Sequence, residues 1–289
     1  MKITLITSAA SLDEVRRIKE ESLALGHEFK LIDFSSFKFF KKGHEFSFSP
    51  EIPDSDLVII RGLFSTMKSL ESLKDYLGYR RAKIFDNNLF AQKYSMNKSY
   101  DILKLILHKI PVPDTFSTRE YKDLYRLGDK LGFPLVMKSS RAGKGGKVWL
   151  VKDNSEFVNF INKFDRENYP AKNILVQGFI DYKYDLRILV IGEKMYCMRR
   201  IPRAGDFRAN FSLGGSVELF PLTPELKKLA KDAMDAIGLE VAGVDVLIDK
   251  DNKNYILEVN HTPGMVGMEK ATGENITKIY LNYAIKNAR

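Results

Sequence analysis

The sequence predicts an α/β protein with α+β subdomains, in which a small parallel sheet is followed by regions of mixed structure. Over the first third, strand-like apolar runs alternate with helical segments, as in "KITLIT" followed by "SLDEVRRIKEESLALG", and such alternation favours a parallel sheet. In the last third, strand-like runs follow one another across short polar turns, which is typical of antiparallel hairpins. The 289 residues leave room for two or three such units.

Composition limits the classes of protein to which the chain can belong. A single cysteine, Cys197, excludes an internal disulfide and a zinc site built from cysteines, and it fits a reducing, cytoplasmic location. No apolar run approaches the roughly 18–20 residues that span a bilayer, so membrane insertion is not expected. The net charge of +9 favours polyanionic partners, which include nucleotides, acidic peptides and RNA.

The first region is predicted to extend to about residue 90. Ser11 and Glu14 form a capping-box pattern at the start of its first helix. The runs "HEFKLIDF", "SDLVIIRG" and "AKIFDN" predict further strands, and the stretch "FSSFKFFKKGHEFSFS" interleaves aromatic with basic residues. Such a stretch can stack nucleic-acid bases. Phenylalanine at alternate positions of a strand is more often part of a core, and we prefer that interpretation.

A second region is predicted over residues 91–177. Helical spacing in "YSMNKSYDILKLILHK" and in "TREYKDLYRLGDKLG" predicts two helices, and the prolines of "IPVPDT" mark the connection between them. The segment "FPLVMKSSRAGKGGKVWLV" predicts a strand, a glycine-containing loop and a second strand. The small residues of the loop can turn backbone N–H groups toward an anion, although a hairpin turn without a ligand explains the pattern equally well.

A third region is predicted over residues 178–289. The run "DLRILVIGEKMYCMRR" predicts two strands that turn at Gly192–Glu193. The polar segment "GDFRANFSLGG" carries Arg208, which could contact phosphate or belong to an ordinary surface loop. The helix in "TPELKKLAKDAMDAIG" has Thr223 as its cap and Gly238 as its stop.

The strongest chemical signal is a pair of strands, "VAGVDVLID" and "NYILEVN", joined by the turn "KDNK". An even-numbered loop of two or four residues places Asp245 opposite Glu258, with Asn260 on the same face. The opposite face then carries only apolar residues, which are Val244, Val246, Ile248, Tyr255, Leu257 and Val259. Like charges directly opposite each other repel. A hard divalent ion such as Mg²⁺ would explain the arrangement, and solvated acids at an exposed strand end are the alternative.

His261 follows this cluster of oxygen ligands directly. Because side chains alternate along a strand, His261 points away from the face that carries Glu258 and Asn260. Oxygen-bound Mg²⁺ does not call for an imidazole ligand. We therefore expect His261 to shape or pack the end of the site at which a substrate would enter, rather than to bind metal or to act as a base.

Taken together, these segments resemble the ATP-grasp superfamily and, within it, the RimK-type α-L-glutamate ligases. The resemblance is carried, in order and spacing, by "DLRILVIGEKM", "RAGDFRANFSLGGS", "AGVDVLI", "LEVNHTPGM" and "GMEKATGENI". It implies an ATP-grasp fold preceded by a small parallel α/β domain. The implied divisions are an N-terminal domain at 1–90, a central domain with a glycine-containing lid at 91–177 and a C-terminal domain with the metal site at 178–289.

The resemblance also implies roles for individual residues. Lys138 and Arg208 match catalytic positions of the family, and two ions of Mg²⁺ or Mn²⁺ are the implied metals. The implied metal ligands are Asp245, Glu258 and Asn260. The residues implied to bind ATP are Lys98, Lys138, Gly143, Gly145, Gly178, Phe179, Asp185, Arg208 and Asn210.

The chain departs from the family pattern at positions that bear on its substrates. Gly178 stands where the family usually has glutamate, in a hinge that reads adenine largely through its backbone. The lid loop Arg141–Lys147 is more basic than usual and keeps only Gly145 in place. Because the lid and the residues after Asn260 lie near the expected substrate entrance, these departures concern the acceptor more than the nucleotide.

The implied activity is that of an ATP-dependent carboxylate–amine ligase, which forms ADP by way of an acylphosphate. The resemblance implies that it adds an amino acid, L-glutamate, to the carboxyl end of a peptide or protein. One alternative is a small-molecule ligase that makes a dipeptide, a cofactor tail or an intermediate on an amino-group carrier. Another is a non-enzymatic RNA- or ribosome-binding protein, which intact metal and phosphate residues disfavour. The expected partners are ATP, an amino acid and a carboxylate acceptor; nucleic acid is not expected, and a homo-oligomer is one possibility.

Overall fold

The computed structural model describes residues 1–63, 69–85, 97–140, 148–203 and 215–289. Within these ranges the strands form four sheets, of which one is parallel and three are antiparallel. Every helix of the described ranges is too short or too polar to cross a bilayer. The mixed α/β architecture predicted from the sequence is confirmed.

The parallel sheet lies at the N-terminus, as predicted. In spatial order it contains Glu28–Asp33 (β2), Lys2–Thr7 (β1), Leu57–Ile60 (β5) and Ile84–Phe85 (β6). The helices Asp13–Ala24 (α1) and Leu70–Tyr79 (α2) accompany it. The leucines of α2 pack with the apolar side chains of the sheet, so this region buries an apolar face of its own.

Between β2 and β5, the strands Lys38–Lys42 (β3) and Glu45–Ser49 (β4) form a separate antiparallel hairpin. The preferred core interpretation of this phenylalanine-rich stretch is wrong for three residues. Phe39, Phe40 and Phe46 are 65%, 56% and 59% exposed. Only the base of the hairpin reaches the core, through Phe37 and Phe48. A two-stranded sheet cannot cover its own faces, so residues beyond that base meet solvent.

The second sheet contains, in spatial order, Thr115–Ser117 (β7), Ile174–Gly178 (β10), Leu135–Ser139 (β8) and Val148–Val151 (β9). Its helices are Lys98–Leu107 (α3), Tyr121–Tyr125 (α4), Gly128–Leu131 (α5) and Asn154–Arg166 (α6). The sequence predicted one helix where α4 and α5 stand. At the break, the N–H of Leu127 bonds to the carbonyl of Leu124, three residues back instead of four.

The third sheet contains, in spatial order, Ser216–Leu219 (β13), Lys194–Ile201 (β12), Tyr182–Ile191 (β11), Val241–Asp249 (β14) and Asn254–Asn260 (β15). Its helices are Pro224–Ile237 (α7), Val266–Thr272 (α8) and Ile276–Asn287 (α9). The predicted ends of α7 are confirmed, because the Thr223 side chain accepts a bond from the Leu226 N–H and Gly238 has a φ of 85°.

The first and third sheets share an apolar core. Leu5 of β1 and Val15 of α1 belong to the same buried cluster as Leu189 of β11 and Tyr280 of α9. The N-terminal region therefore packs against helices from the far end of the chain. The division into domains at residues 90 and 177 stays a prediction.

The predicted capping box at α1 is wrong. Leu12 occupies the N-cap position of that helix, and no side chain caps its N-terminus. The carboxylate of Glu14 instead accepts hydrogen bonds from the N–H groups of Met265 and Val266, at 2.8 and 3.2 Å. These groups lie at the start of α8, where N–H groups lack partners within the helix and the helix dipole favours a negative charge. Glu14 thus caps a helix about 250 residues further along the chain.

Replacing Glu14 with alanine is expected to lower the free energy of unfolding by about 1–2 kcal/mol, because the first N–H groups of α8 lose their acceptor. Urea unfolding followed by circular dichroism measures this change. Asp13→Ala is the matched control, since Asp13 is the neighbouring acid on α1 and is largely exposed. Equal losses in the two variants would show that the acids act on α1 itself.

Candidate functional site

A row of charged side chains crosses the third sheet from strand to strand. Asp185 of β11 lies opposite Arg200 of β12, and Arg187 of β11 lies opposite Asp245 of β14. Asp245 in turn lies opposite Glu258 of β15. Asp185, Arg200 and Asp245 are buried. Buried charges of this kind persist only when each has a partner of opposite sign.

Asp245 is the most heavily engaged acid of the row. Arg187 holds it in a fork, with Nε 2.7 Å from Oδ1 and Nη2 2.8 Å from Oδ2. Arg200 places Nη1 3.0 Å from Oδ2 of Asp245 and Nε 2.7 Å from Oδ1 of Asp185. Burial alone would raise the pKa of Asp245, but the two guanidinium groups outweigh it and lower the pKa to about 2. The carboxylate is therefore ionised at neutral pH.

The predicted pairing of Asp245 with Glu258 is confirmed, and Asn260 follows on the same strand opposite Gly243. The predicted even-numbered loop is wrong. Asp249 and Lys253 close a loop of three residues, 250–252, through a 3.0 Å backbone hydrogen bond, and Asn252 takes the positive φ of 62° that such loops require. An odd loop alone would have set Asp245 opposite residue 257.

A one-residue bulge in β15 restores the pairing of the acids. Val246 lies opposite Ile256 while Asp245 lies opposite Glu258, so Leu257 is the extra residue. Beyond the bulge the two faces of the strand exchange. Ile256 is accordingly buried in the core and Leu257 is only partly buried, which corrects the predicted apolar face at Tyr255 and Leu257.

Two lysines lie beside the acid pair. Lys98 is the first residue of α3, and its Nζ lies 2.5 Å from Oε1 of Glu258. Lys138 of β8 places its Nζ 2.6 Å from Oε1 of Gln177 on the neighbouring strand β10. Burial lowers the pKa of Lys138 to about 8; Glu258 opposes this shift and the positive charge of Lys98 adds to it. The ammonium group of Lys138 therefore gains or loses its proton near neutral pH.

Positive charge slightly exceeds negative charge in this network. Its carboxylates are Asp185, Asp245 and Glu258, and its cations are Lys98, Lys138, Arg187 and Arg200. With Lys138 protonated, four positive charges meet three negative charges, which leaves a net charge of +1. Because its net charge is small and positive, such a network favours an anionic ligand whose remaining charge is balanced by cations bound to the ligand itself.

The oxygen ligands fit a metal that is only partly enclosed by protein. In the described part of the chain, no group of three or more His, Cys, Asp and Glu side chains is placed to hold a metal ion. The predicted ligands are two carboxylates and the amide oxygen of Asn260, which also accepts a 2.9 Å bond from the Thr262 N–H. Three of the roughly four acceptor positions of Asp245 are taken by arginines. The remaining acceptor position of Asp245, with Glu258 and Asn260, offers oxygen atoms of the kind that Mg²⁺ binds, and Mg²⁺ usually completes its shell with water and phosphate oxygens.

His261 forms a buried pair with Asp101, whose Oδ2 lies 2.9 Å from Nε2 of the ring. Asp101 lies on α3, three residues after Lys98. The pair therefore fastens the end of β15 to the helix whose first residue contacts Glu258. This contact supports the prediction that His261 has a packing role.

The backbone N–H groups of the predicted adenine hinge already form hydrogen bonds within the protein. The N–H of Gly178 donates to the carbonyl of Asp114 at 2.9 Å, and the N–H of Phe179 donates to the carbonyl of Pro134 at 3.1 Å. A nucleotide base at this hinge would have to use other groups, such as carbonyl oxygens. The ATP contact implied for Asp185 stays a prediction; in the structure, Arg200 holds Oδ1 of its carboxylate. Arg208, Asn210, Gly143 and Gly145 lie outside the described residues.

The loop after the acids is held by the N-terminal region. Arg61, which directly follows β5, is buried and donates to the carbonyl of Pro263. Its guanidinium carbon lies 5.1 Å from the centre of the Tyr280 ring, a distance suited to a cation–π interaction. With the Glu14 contacts at Met265, this bond fixes the loop at two points.

The two arginines of the network, Arg187 and Arg200, were not predicted from the sequence. A signal for Arg200 was present, because the two-residue turn at Gly192–Glu193 sets Ile191 opposite Lys194 and hence Asp185 opposite Arg200. No comparable signal existed for Arg187. Its partner Asp245 lies on a strand that is paired with β11 but far from it in sequence.

Comparisons with known proteins agree with this fold. The RimK-like ATP-grasp domain matches residues 95–284. A probable alpha-L-glutamate ligase of Legionella pneumophila is 30% identical over 307 residues, covering 100% of this chain and 97% of the relative.

Two solved structures share the fold at low identity. The RimK domain ATP-grasp protein of Sphaerobacter thermophilus has a TM-score of 0.72 at 18% identity, with 98% of this chain and 99% of that chain covered. The ATP-grasp ligase PsnB, complexed with a minimal precursor, has a TM-score of 0.69 at 17% identity, with 98% of each chain covered. The fold is therefore that of the ATP-grasp ligases.

The chain belongs to the RimK-like ATP-grasp family, as its match over residues 95–284 and its full-length relatives establish. It is an ATP-dependent ligase.

Replacing Arg200 with methionine is expected to lower the free energy of unfolding by about 3–5 kcal/mol, because Asp185 and Asp245 lose a buried counterion. Arg199→Met is the matched control. Its guanidinium pairs with Glu218 at the surface, so its loss is expected to change the stability by at most about 1 kcal/mol. Denaturant unfolding measures both variants, and similar losses would contradict the importance of the buried network.

Proposed function

We propose that the protein uses ATP and Mg²⁺ to join an amino acid, L-glutamate, to the carboxyl end of a peptide or protein. The observation that carries this proposal is the acid pair Asp245–Glu258, set beside lysines and arginines in a RimK-like chain. Full-length relatives named probable alpha-L-glutamate ligases support the choice of amino acid. PsnB, whose structure contains a precursor, Mg and ADP, supports a peptide acceptor and these cofactors.

The reaction proceeds in two displacements. The acceptor carboxylate attacks the γ-phosphorus of ATP, so that ADP leaves and an acylphosphate forms. The amine of the incoming amino acid then attacks the acyl carbon, and inorganic phosphate leaves. Phosphoryl transfer depends mainly on positioning and on neutralisation of charge, both of which a preformed cluster of cations supplies.

The charged residues divide these tasks. Lys98 and Lys138 would contact the phosphates from α3 and β8, and Arg208 would neutralise charge that develops on the γ-phosphoryl group. Asp245, Glu258 and Asn260 would hold two Mg²⁺ ions. Bound Mg²⁺ would supply further neutralisation of the phosphate oxygens. Arg187 and Arg200 would keep Asp245 ionised and fixed in direction.

The remaining nucleotide contacts complete the proposal. Gly143 and Gly145 would let the lid backbone approach the phosphates, and Asn210 would join Arg208. Gly178 and Phe179 would border the adenine. The division at residues 90 and 177, a cytoplasmic location and a homo-oligomeric state also belong to this proposal.

The function is tested by ADP release with each of the twenty amino acids, in the presence and absence of peptides with free carboxyl ends. Mass spectrometry then identifies the products. We expect peptide-dependent ADP release with glutamate and a ladder of single additions on the peptide. Product formation from free amino acids or other small carboxylates alone would assign a small-molecule ligase instead. The absence of ADP release under every condition would contradict the proposal.

Replacing Glu258 with glutamine is expected to reduce ADP release at least about 100-fold, because a proposed Mg²⁺ ligand loses its negative charge while the side chain keeps its shape. The far-ultraviolet circular dichroism spectrum should not change. Asp251→Asn is the matched control, since Asp251 lies in the exposed turn of the same hairpin. Near-normal turnover by the Glu258 variant would remove Glu258 from the metal site.

The lowered pKa of Lys138, about 8, predicts a pH dependence for ATP use. Below pH 8 the ammonium group is charged and can bind phosphate; above pH 8 it loses its proton. We expect kcat/KM for ATP, which reports ionisations of the free enzyme, to fall above pH 8. In Lys138→Arg this fall should disappear, because a guanidinium group stays protonated. An unchanged pH profile in that variant would show that another group titrates.

A further inference from the structure

The hairpin of β3 and β4 presents aromatic rings to solvent. Phe39 and Phe46, which are more than half exposed, lie on adjacent strands of this two-stranded sheet. Large apolar side chains that are grouped at the surface expose apolar area to water, and grouped exposure of this kind marks binding surfaces. The catalytic network described above does not include the hairpin.

The strand register places these rings on one face. Phe39 lies opposite Phe48, and Lys41 lies opposite Phe46. Residues two apart on a strand share a face, so Phe39, Lys41, Phe46 and Phe48 form a single aromatic and basic surface. Phe39 and Phe46 are diagonal neighbours, a relation that separates residues by about 7–8 Å. Two aromatic rings at that spacing can each stack one of two neighbouring, unstacked bases.

This face is anchored to the body of the protein at its base. Phe48 stacks on Tyr76 of α2, with ring centres 3.8 Å apart and planes 6° apart. Phe37 contacts both Phe39 and Phe48, at 6.3 and 5.1 Å between ring centres. An isolated hairpin is only marginally stable in water. These contacts hold the hairpin and the Phe39 ring in place before a ligand arrives, and Phe46 lies on the same face two residues from the anchored Phe48.

The hairpin is also positively charged. Lys38, Lys41 and Lys42 are exposed, and Glu45 is the single acid of β3 and β4. Lys41 lies beside both exposed rings, where its ammonium group can reach a phosphate that links two stacked bases. A partner that presents flat rings and regularly spaced negative charges matches both features of this surface.

We propose that the β3–β4 hairpin binds single-stranded nucleic acid, with bases stacked on Phe39 and Phe46 and phosphate held by Lys41. The core interpretation of these phenylalanines was one of two reasons not to expect nucleic acid, and their exposure removes it. The other reason, the metal and phosphate residues, speaks against a non-enzymatic binder and not against a second surface on a ligase. An acidic peptide would satisfy the lysines but would set carboxylates against the phenyl rings. The proposal does not depend on the proposed ligase activity.

The test uses the full chain and a 5′-fluorescein-labelled oligouridylate of about twelve nucleotides, within the usual site sizes for such surfaces. Fluorescence anisotropy at low salt measures binding. Phe39→Ser and Phe46→Ser are each expected to weaken binding at least about fivefold, the effect of losing one stacked base. Phe40→Ser is the matched control, since Phe40 is equally exposed on the opposite face and is expected to leave affinity within about twofold.

The charge is tested by salt dependence. Lys41→Gln is expected to reduce the slope of log affinity against log salt by about 0.7, the value for one phosphate contact on a single strand. Lys228→Gln removes an exposed lysine of α7 and should leave the slope unchanged. Melting temperature and ADP release of the phenylalanine variants check that fold and catalytic site are intact, because neither ring belongs to the catalytic network.

Three outcomes would overturn the proposal. The first is failure of the wild-type protein to bind the oligonucleotide at low salt. The second is binding by the Phe39 and Phe46 variants that equals wild type. The third is displacement of the oligonucleotide by polyglutamate as effectively as by unlabelled oligouridylate, which would assign the surface to an acidic peptide.

Discussion

The carboxylate of Asp245, held between Arg187 and Arg200, is the interaction on which the rest of the site depends. A buried carboxylate without counterions would take up a proton or unfold its surroundings. Here the counterions come from β11 and β12, so the strand pairing that builds the sheet also determines the ionisation of Asp245. Glu258 can lie opposite a second negative charge for the same reason, because Lys98 and the arginines neutralise the pair.

The site draws on parts of the chain that are far apart in sequence. Lys98 comes from the start of α3, where Asn97 caps the helix, and Lys138 comes from the second sheet. The buried pair of His261 and Asp101 ties α3 to the end of β15. Each charge is therefore fixed by packing or by a hydrogen bond before any ligand binds. Preorganisation of this kind is what makes charged groups effective in catalysis, since no reorganisation is needed during the reaction.

Local features of the fold could be predicted from the sequence because they depend on neighbouring residues. The cap at Thr223, the stop at Gly238 and the turn at Gly192–Glu193 are examples. The pairing of Asp245 with Glu258 was predicted correctly although the loop length was wrong, because the bulge at Leu257 compensates for the odd loop. The pairing of β11 with β14 and the target of Glu14 could not be predicted. Both join residues far apart in sequence, and no local pattern encodes such contacts.

The contact between Glu14 and Gly264 limits how such chains can be recombined. A Cβ atom at position 264 would lie 2.9 Å from the Glu14 carboxylate, so a side chain there would make that carboxylate shift from its place beside the N–H groups of Met265 and Val266. Arg61 reaches the same loop through the backbone carbonyl of Pro263. An N-terminal segment exchanged between relatives would bring its own residues at positions 14 and 61, and the recipient loop would have to suit them. The sequence of this loop therefore depends in part on Glu14 and Arg61, which take no part in the chemistry.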